Sequence, residues 1–369
     1  MISTYSETVT DDDNIPYPYI LVCPRIQITI KNRGIGRVPQ IAKHFGNQNK
    51  TSLRLFHQRR SRVLISYPAA ITTIPIFRHH LLLQYPTHLS KMATAKTDLL
   101  KLASTDVKTA LSPEQYGPVL TSAPFVHVAG TFNTRDLGLV PDSPLRAHYA
   151  FRSGALGGLT DAGKAALTSQ LGVKRVFDLR SPEERERMPD PVIVGVENTW
   201  IRSSRPDSRP DLARFVAGEG EVGYEGMYLE VAEVYAESWK AILEHVRDRP
   251  LDPFLVHCTA GRDRTGVFGG LLLALAGASE DAIATDWQLS RIGTEPVRAM
   301  LLEFARNGTD AYGEDQPGFY NLVSLRKSCW RAFVAALEKQ YGGFEGFVTG
   351  KLGFSQQDLV MIKKNLTSA

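Results

Sequence analysis

One ten-residue run concentrates the reactive side chains of this chain: His257, Cys258, Thr259, Ala260, Gly261, Arg262, Asp263, Arg264, Thr265 and Gly266. Five residues separate Cys258 from Arg264. A loop of that length at a helix N-terminus can curl until its backbone N–H groups meet at one point, where the helix dipole also favours negative charge. Thr259 through Arg264 then form an anion cradle. Arg264 closes the ring with a planar fork for two phosphate oxygens, a geometry that lysine does not reproduce. Cys258 sits beneath the anion in the same positive field, which favours its nucleophilic thiolate. The spacing implies phosphoryl transfer to sulfur.

The loop needs a strand before it and a helix after it, and the sequence supplies both. Pro253 to His257 is a short, nearly all-apolar run of the kind buried in a parallel sheet, and Thr265 to Ala276 reads as an apolar helix. Val173 to Leu179 reads as a strand, preceded by a helix that starts at the Thr160-Asp161 cap and ends at Gly172. Val192 to Trp200 is a further strand candidate. Apolar residues at 227, 231, 235, 239, 242 and 246 fall on one helix face, which predicts a single helix from Met227 to Val246. Glu280–Ser290, Pro296–Arg306, Gly318–Gln340 and Ser355–Leu366 also look helical. The alternation predicts an α/β fold, with a central mostly parallel sheet flanked by helices and a helical C-terminal part.

The composition places these elements in one folded body. The 369 residues are 43% hydrophobic and 22% charged, which excludes disulfide-stapled miniproteins, collagen-like repeats and wholly disordered chains. The net charge of +4 is unevenly spread. Residues 1–97 hold 13 Lys/Arg and 4 Asp/Glu, whereas residues 98–369 hold 30 and 35. A net-negative body argues against nucleic acid as a partner. The second methionine, Met92, opens the lead-in segment 92–121 just where acidic residues return. Residues 1–91 therefore read as a disordered basic extension, and an upstream stretch left untranslated is one account of it. Its apolar piece, 63–77, is too short to span a bilayer and contains two prolines, so no transmembrane segment is expected. The three cysteines, Cys23, Cys258 and Cys329, form no disulfide framework and lack zinc-site spacing, which points to a reducing, cytoplasmic compartment. A mitochondrial address is the alternative if the extension is real. Cys329 lies in a predicted helix and reads as packing; Cys23 has no assigned role.

Residues 122–369 resemble the Cys-based protein tyrosine phosphatase superfamily, whose signature is HC, five residues, then R and S or T. FNTRDLG (Phe132 to Gly138), FRSGALGGLTDAG (Phe151 to Gly163), VFDLRSPEE (Val176 to Glu184), HCTAGRDRTG and DWQLS (Asp286 to Ser290) occur in the order seen in its tyrosine/serine phosphatase family. That family includes bacterial secreted phosphatases acting on phosphoproteins and phosphoinositides. This chain departs from the usual NFRDLGG and AGKDRTG in having Thr134, Leu139 and Arg262. The resemblance implies a protein-tyrosine-phosphatase-like fold and a metal-independent phosphomonoesterase. Cys258 attacks phosphorus, a carboxylic acid protonates the leaving oxygen, and water hydrolyses the cysteinyl-phosphate. The implied substrates are phosphotyrosine, phosphoserine or phosphothreonine in proteins, or a phosphoinositide.

The carboxylic acid has three candidates. Asp263, by resemblance, faces the leaving group; Asp178 ends a predicted strand, and carboxyl ends of parallel strands gather at one sheet edge; Asp136 sits in the TRDLG turn. Each could instead cap a turn or orient an arginine. His257 reads as a hydrogen-bond donor that fixes the loop, with a proton shuttle as the alternative, and Thr265 as a helix cap, as support for the thiolate, or as both. Arg135, Arg152 and Arg180 each adjoin one of these motifs, and any of them could pair with a carboxylate to hold a loop; that reading is favoured for Arg180 beside Glu183 and Glu184, while Arg152 has the alternative of lining the phosphate pocket. Neither a metal-ligand set nor a nucleoside-triphosphate P-loop is recognisable, so no cofactor is expected. The rival from another class is a phosphate-binding adaptor that uses the cradle without turnover.

Overall fold

Three strands of the N-terminal part, β1 (Gln27–Lys31), β2 (Arg62–Tyr67) and β3 (Ala70–Thr72), pair antiparallel in that order. The structure, a computed structural model, describes the backbone of these strands and residues 96–309 and 313–368. The strands belong to one compact unit, Met1–Leu89; Ser90–Ala369 form the other. Apart from these strands, the expected disordered extension lies outside the described residues, as does Cys23.

The second unit is built on a five-stranded sheet. Its strands are β4 (Arg135–Asp136), β5 (Ala150–Ser153), β6 (Arg175–Asp178), β7 (Glu197–Trp200) and β8 (Phe254–His257), in the spatial order β4-β5-β8-β6-β7. Only the β4–β5 pair is antiparallel. The mostly parallel sheet expected from sequence is the one that forms. Along each central strand, side chains alternate between two cores. Phe151, Val176 and Leu255 pack with Val128, Leu156 and Leu167 on one face, while Ala150, Phe177, Phe254 and Val256 join the larger core on the other. In register, Ser153 and Asp178 both lie opposite His257. Three carboxyl ends of parallel strands thus meet where the reactive loop begins, the usual position of a site in such sheets.

The helices follow in chain order: α1 over 96–103, α2 (Pro113–Leu120), α3 (Asp161–Ala165), α4 (Pro182–Arg187), α5 (Glu221–Val234), α6 (Ala236–Asp248), α7 (Arg264–Leu275), α8 (Glu280–Gly293), α9 (Arg298–Asn307), α10 (Phe319–Leu322), α11 (Lys327–Tyr341), α12 (Gly343–Gly346) and α13 (Gln356–Thr367). α7 runs through the larger core and buries Val267, Phe268, Leu271 and Leu272. Phe268 stacks on Trp239 with centroids 5.0 Å apart. Burying each such side chain stabilises the fold by about 1.5–3 kcal/mol, so the helix that carries the loop is firmly anchored.

Three boundaries differ from expectation. The helix predicted over Met227–Val246 is two, α5 and α6, which meet at Tyr235 with φ −101° and ψ 17°. The apolar spacing runs unbroken through the joint, because Tyr235 itself remains buried. The strand predicted from Val192 begins only at Glu197, since Val192 and Val194 are 85% and 90% exposed and have no face to bury against. The helix predicted from Gly318 divides into α10 and α11 around residues 323–326. Cys329 is buried in α11, as packing predicts. Among the described residues no helix is long and apolar enough to cross a membrane.

Candidate active site

The loop from Cys258 to Asp263 links β8 to α7, and its carbonyls are tied back one after another. His257 O accepts from Leu179 N at 2.9 Å and Thr259 O from Ala155 N at 3.1 Å. Asn133 Nδ2 donates to Ala260 O at 3.1 Å and Gly261 O at 3.0 Å, and Arg152 Nη2 donates to Gly261 O at 2.7 Å and Arg262 O at 3.4 Å. In a planar trans peptide the next residue's N–H points opposite the C=O. The amides of Ala260, Gly261, Arg262 and Asp263 therefore turn away from these anchors, and among the described residues none has a protein acceptor. Gly261 is essential to this path: its φ is +64°, and a Cβ there would lie 2.3 Å from Ser153 O.

Arg152 thus buttresses the loop from behind. Its partner Asp286 on α8 also accepts from Arg135 Nε at 2.7 Å, so one buried carboxylate joins both arginines. Arg135 Nη1 in turn fixes the Asn133 amide through its Oδ1 at 2.6 Å. Asn133 holds φ +57°, and its side-chain contacts stabilise this left-handed conformation. Arg135 and Arg152 both meet the Asp286 carboxylate, and Arg152 reaches the loop through its carbonyls rather than through the cavity lining.

Arg264 opens α7 and makes a fork–fork pair with Glu184 of α4, Nη1 to Oε2 at 2.6 Å and Nη2 to Oε1 at 2.8 Å. Nη1 also donates to Leu179 O at 3.1 Å. Among the described residues these bonds leave the Nε–Nη2 edge without a protein acceptor, and Arg264 is one of the residues that line the cavity. Glu184 is fixed in turn as the third residue of a capping box with Ser181, whose N–H reaches Oε2 at 2.7 Å, and it also accepts from the Thr259 hydroxyl. Burial alone would push the Glu184 carboxyl up; the Arg264 guanidinium beside it overcomes this and holds it at about 2. The sequence expectation paired Glu184 with Arg180. Arg180 instead pairs with Asp178 at 2.9 Å and Asp190 at 2.7 Å. The S-x-x-E spacing at 181–184 marks Glu184 as a capping-box residue at the start of α4 but not as the partner of Arg264.

Of the acid candidates, only Asp263 lines the cavity. Its side chain is 29% exposed, and it occupies the N-cap position of α7. Asp178 is fully buried, with both oxygens taken by Arg180 and Oδ2 also by Arg185 at 2.9 Å, which leaves no edge for a leaving group. Asp136 caps a short turn through Gly138 N at 2.8 Å and holds His148 N at 2.7 Å. Thr265 lies within the first turn of α7 and is not its N-cap. Its hydroxyl is buried without a partner among the described residues. His257 contacts the Cys258 carbonyl through Nδ1 at 3.3 Å and Asp190 Oδ2 through Nε2 at 2.9 Å, so Asp190 orients it.

Asp178, Asp190 and His257 come close enough together to suggest a metal site, but Arg180 and Arg185 already neutralise the carboxylates. An ion-pair network accounts for the cluster. Burial would raise Asp190 as well, and its contacts with His257 and Arg180 hold it at about 2. For both carboxylates the folded value lies below the unfolded one, so their stabilisation is complete above about pH 4.5 and is lost as pH falls through about 2. Melting temperature should therefore begin its acid decline below about pH 4.5. A decline attributable to this network already between pH 7 and 5, absent from a Glu184→Gln variant, would contradict the assignment.

The cavity above Cys258 has a volume of about 190 Å³. The loop forms its floor; Leu301, Leu302 and Phe304 of α9 and Val323 and Leu325 form apolar walls. Arg262 borders it, but Nε contacts both Asp263 oxygens at 3.1 and 3.2 Å and Nη1 donates to Val323 O at 3.2 Å.

Known proteins are similar to this chain in sequence. A curated tyrosine-protein phosphatase of Nostoc commune is 31% identical over 224 residues, covering 59% of this chain and 74% of the relative. The triple specificity protein phosphatase PtpB of Mycobacterium tuberculosis is 28% identical over 209 residues, covering 49% and 74% respectively. The sequence model of the tyrosine phosphatase family matches residues 126–368, which include every strand of the five-stranded sheet and the whole reactive loop. With its cysteine–arginine loop lining the cavity, this chain belongs to the tyrosine phosphatase family and is a Cys-dependent phosphatase.

Proposed function

We propose that residues 122–369 hydrolyse phosphate monoesters of proteins, phosphotyrosine foremost, with Cys258 as the nucleophile. The observation that carries this reading is the free Nε–Nη2 edge of Arg264, aimed by Glu184 beside a loop whose carbonyls are tied back. Phosphate would accept the amides of Ala260 to Asp263 and that fork. The Cys258 thiolate attacks phosphorus in line, the S–P bond forms as the ester P–O bond breaks, and Asp263 gives its proton to the leaving oxygen. Water then hydrolyses the cysteinyl-phosphate. The unpartnered Thr265 hydroxyl is the donor we assign to the sulfur as it leaves.

The apolar walls suit an aryl group. Arg262 is engaged with Asp263 and Val323, which leaves it poorly placed to hold a second phosphate of an inositol ring. The name of the PtpB relative supports breadth across ester types. Asp263→Asn tests the acid. A serine alkoxide needs far more protonation than a 4-nitrophenolate, so kcat on a phosphoserine peptide should fall by about 10²-fold while 4-nitrophenyl phosphate loses less than about tenfold. Equal rates for variant and parent on the phosphoserine peptide would remove Asp263 from this role, and faster turnover of a phosphoinositide than of any phosphopeptide would reverse the substrate order.

A further inference from the structure

Asp263 does not stand alone. Its Oδ1 accepts from the hydroxyl of Tyr228 on α5 at 2.7 Å, and the Tyr228 oxygen accepts from Trp287 Nε1 on α8 at 2.9 Å. Indole nitrogen is a donor only, so this short chain has one direction: Trp287 to Tyr228 to Asp263. Tyr228 and Trp287 are both fully buried. The Tyr228 ring meets those of Tyr224, Trp287, Trp330 and Phe333 edge-on at centroid distances of 5.2 to 6.2 Å, which fixes the position of its hydroxyl. Burial pushes the Tyr228 phenol well above its usual range, so it remains a donor.

We infer that Tyr228, oriented by Trp287, is a positioning residue for proton donation, setting which oxygen of Asp263 carries the transferable proton. The inference rests on Asp263 being the acid. Oδ1 takes the Tyr228 hydroxyl at 2.7 Å and Arg262 Nε at 3.1 Å, whereas among the described residues Oδ2 has only Nε at 3.2 Å. A neutral Asp263 therefore keeps its proton on Oδ2. As the ester P–O bond breaks, that proton moves to the leaving oxygen and negative charge spreads onto Oδ1. The Tyr228 hydrogen bond strengthens at that moment, because bonds to a carboxylate are stronger than bonds to a neutral acid. Its benefit grows with the basicity of the leaving group.

Tyr228→Phe keeps the ring and removes the donor. It should lower kcat by about tenfold on a phosphoserine peptide and by less than about twofold on 4-nitrophenyl phosphate, a steeper dependence on leaving-group basicity. Orthovanadate, which needs the cradle but no leaving group, should bind unchanged. In an Asp263→Asn background the Tyr228→Phe loss should vanish, since the two act as one unit. Equal losses on both esters, weakened vanadate binding, or a Tyr228→Phe loss that persists without Asp263 would each overturn the inference. If Asp263→Asn discriminates between the esters and Tyr228→Phe does not, only this inference falls. If Asp263→Asn fails to discriminate, the acid assignment falls and takes the inference with it.

Discussion

Cys258→Ser should reduce turnover of an aryl phosphate by about 10⁴-fold or more while leaving phosphate or vanadate binding within a few-fold of the parent chain. The asymmetry follows from the division of labour in the loop. In the proposed mechanism binding resides in the amides of Ala260 to Asp263 and the guanidinium of Arg264, none of which the substitution touches. The same mechanism places nucleophilicity in the Cys258 sulfur, and a serine hydroxyl at neutral pH is almost wholly protonated and a far weaker nucleophile. A loss of that size corresponds to about 5.5 kcal/mol of transition-state stabilisation. The same variant separates the enzyme from an adaptor built on the same cradle. Retained binding with lost turnover fits the proposed mechanism; residual activity above a few per cent of the parent would require another nucleophile.

The loop was legible in sequence because its chemistry is contiguous. Strand, cysteine, glycine turn, arginine and helix follow one another within Phe254 to Leu275, so the apolar run and residue spacing sufficed. What supports the loop was much less legible. Glu184 meets Arg264 across 80 residues, Asn133 meets Gly261 across 128, and Tyr228 meets Asp263 across 35. Such pairs arise from sheet order and helix packing, which no local pattern encodes. For Arg135 and Arg152 the sequence leaves the role open, because their shared partner Asp286 lies far along the chain and meets them only in the folded structure. The helix break at Tyr235 escaped notice for the opposite reason. Tyr235 continues the apolar face, and its hydroxyl interaction with Asp207 at 2.9 Å lies outside any helical periodicity.

Those long-range partners make the second large effect predictable. Arg264→Lys keeps the charge but loses the fork, so both the Glu184 pair and the open Nε–Nη2 edge disappear together. The pentacoordinate transition state spreads charge over equatorial oxygens that a planar donor pair can match and a single ammonium cannot. kcat should fall by about 10³-fold, with a smaller rise in KM because ground-state phosphate still meets the loop amides. Glu184→Gln provides the graded control. Its amide can accept from only one Nη of Arg264, so the guanidinium keeps its charge but loses its second anchor; kcat should drop by about tenfold to a hundredfold. If Glu184 acts only by aiming Arg264, then Glu184→Gln should cost nothing further once Arg264 is lysine. An undiminished loss in that double variant would show that Glu184 reaches the reaction by another route, with its contact to the Thr259 hydroxyl the first to examine.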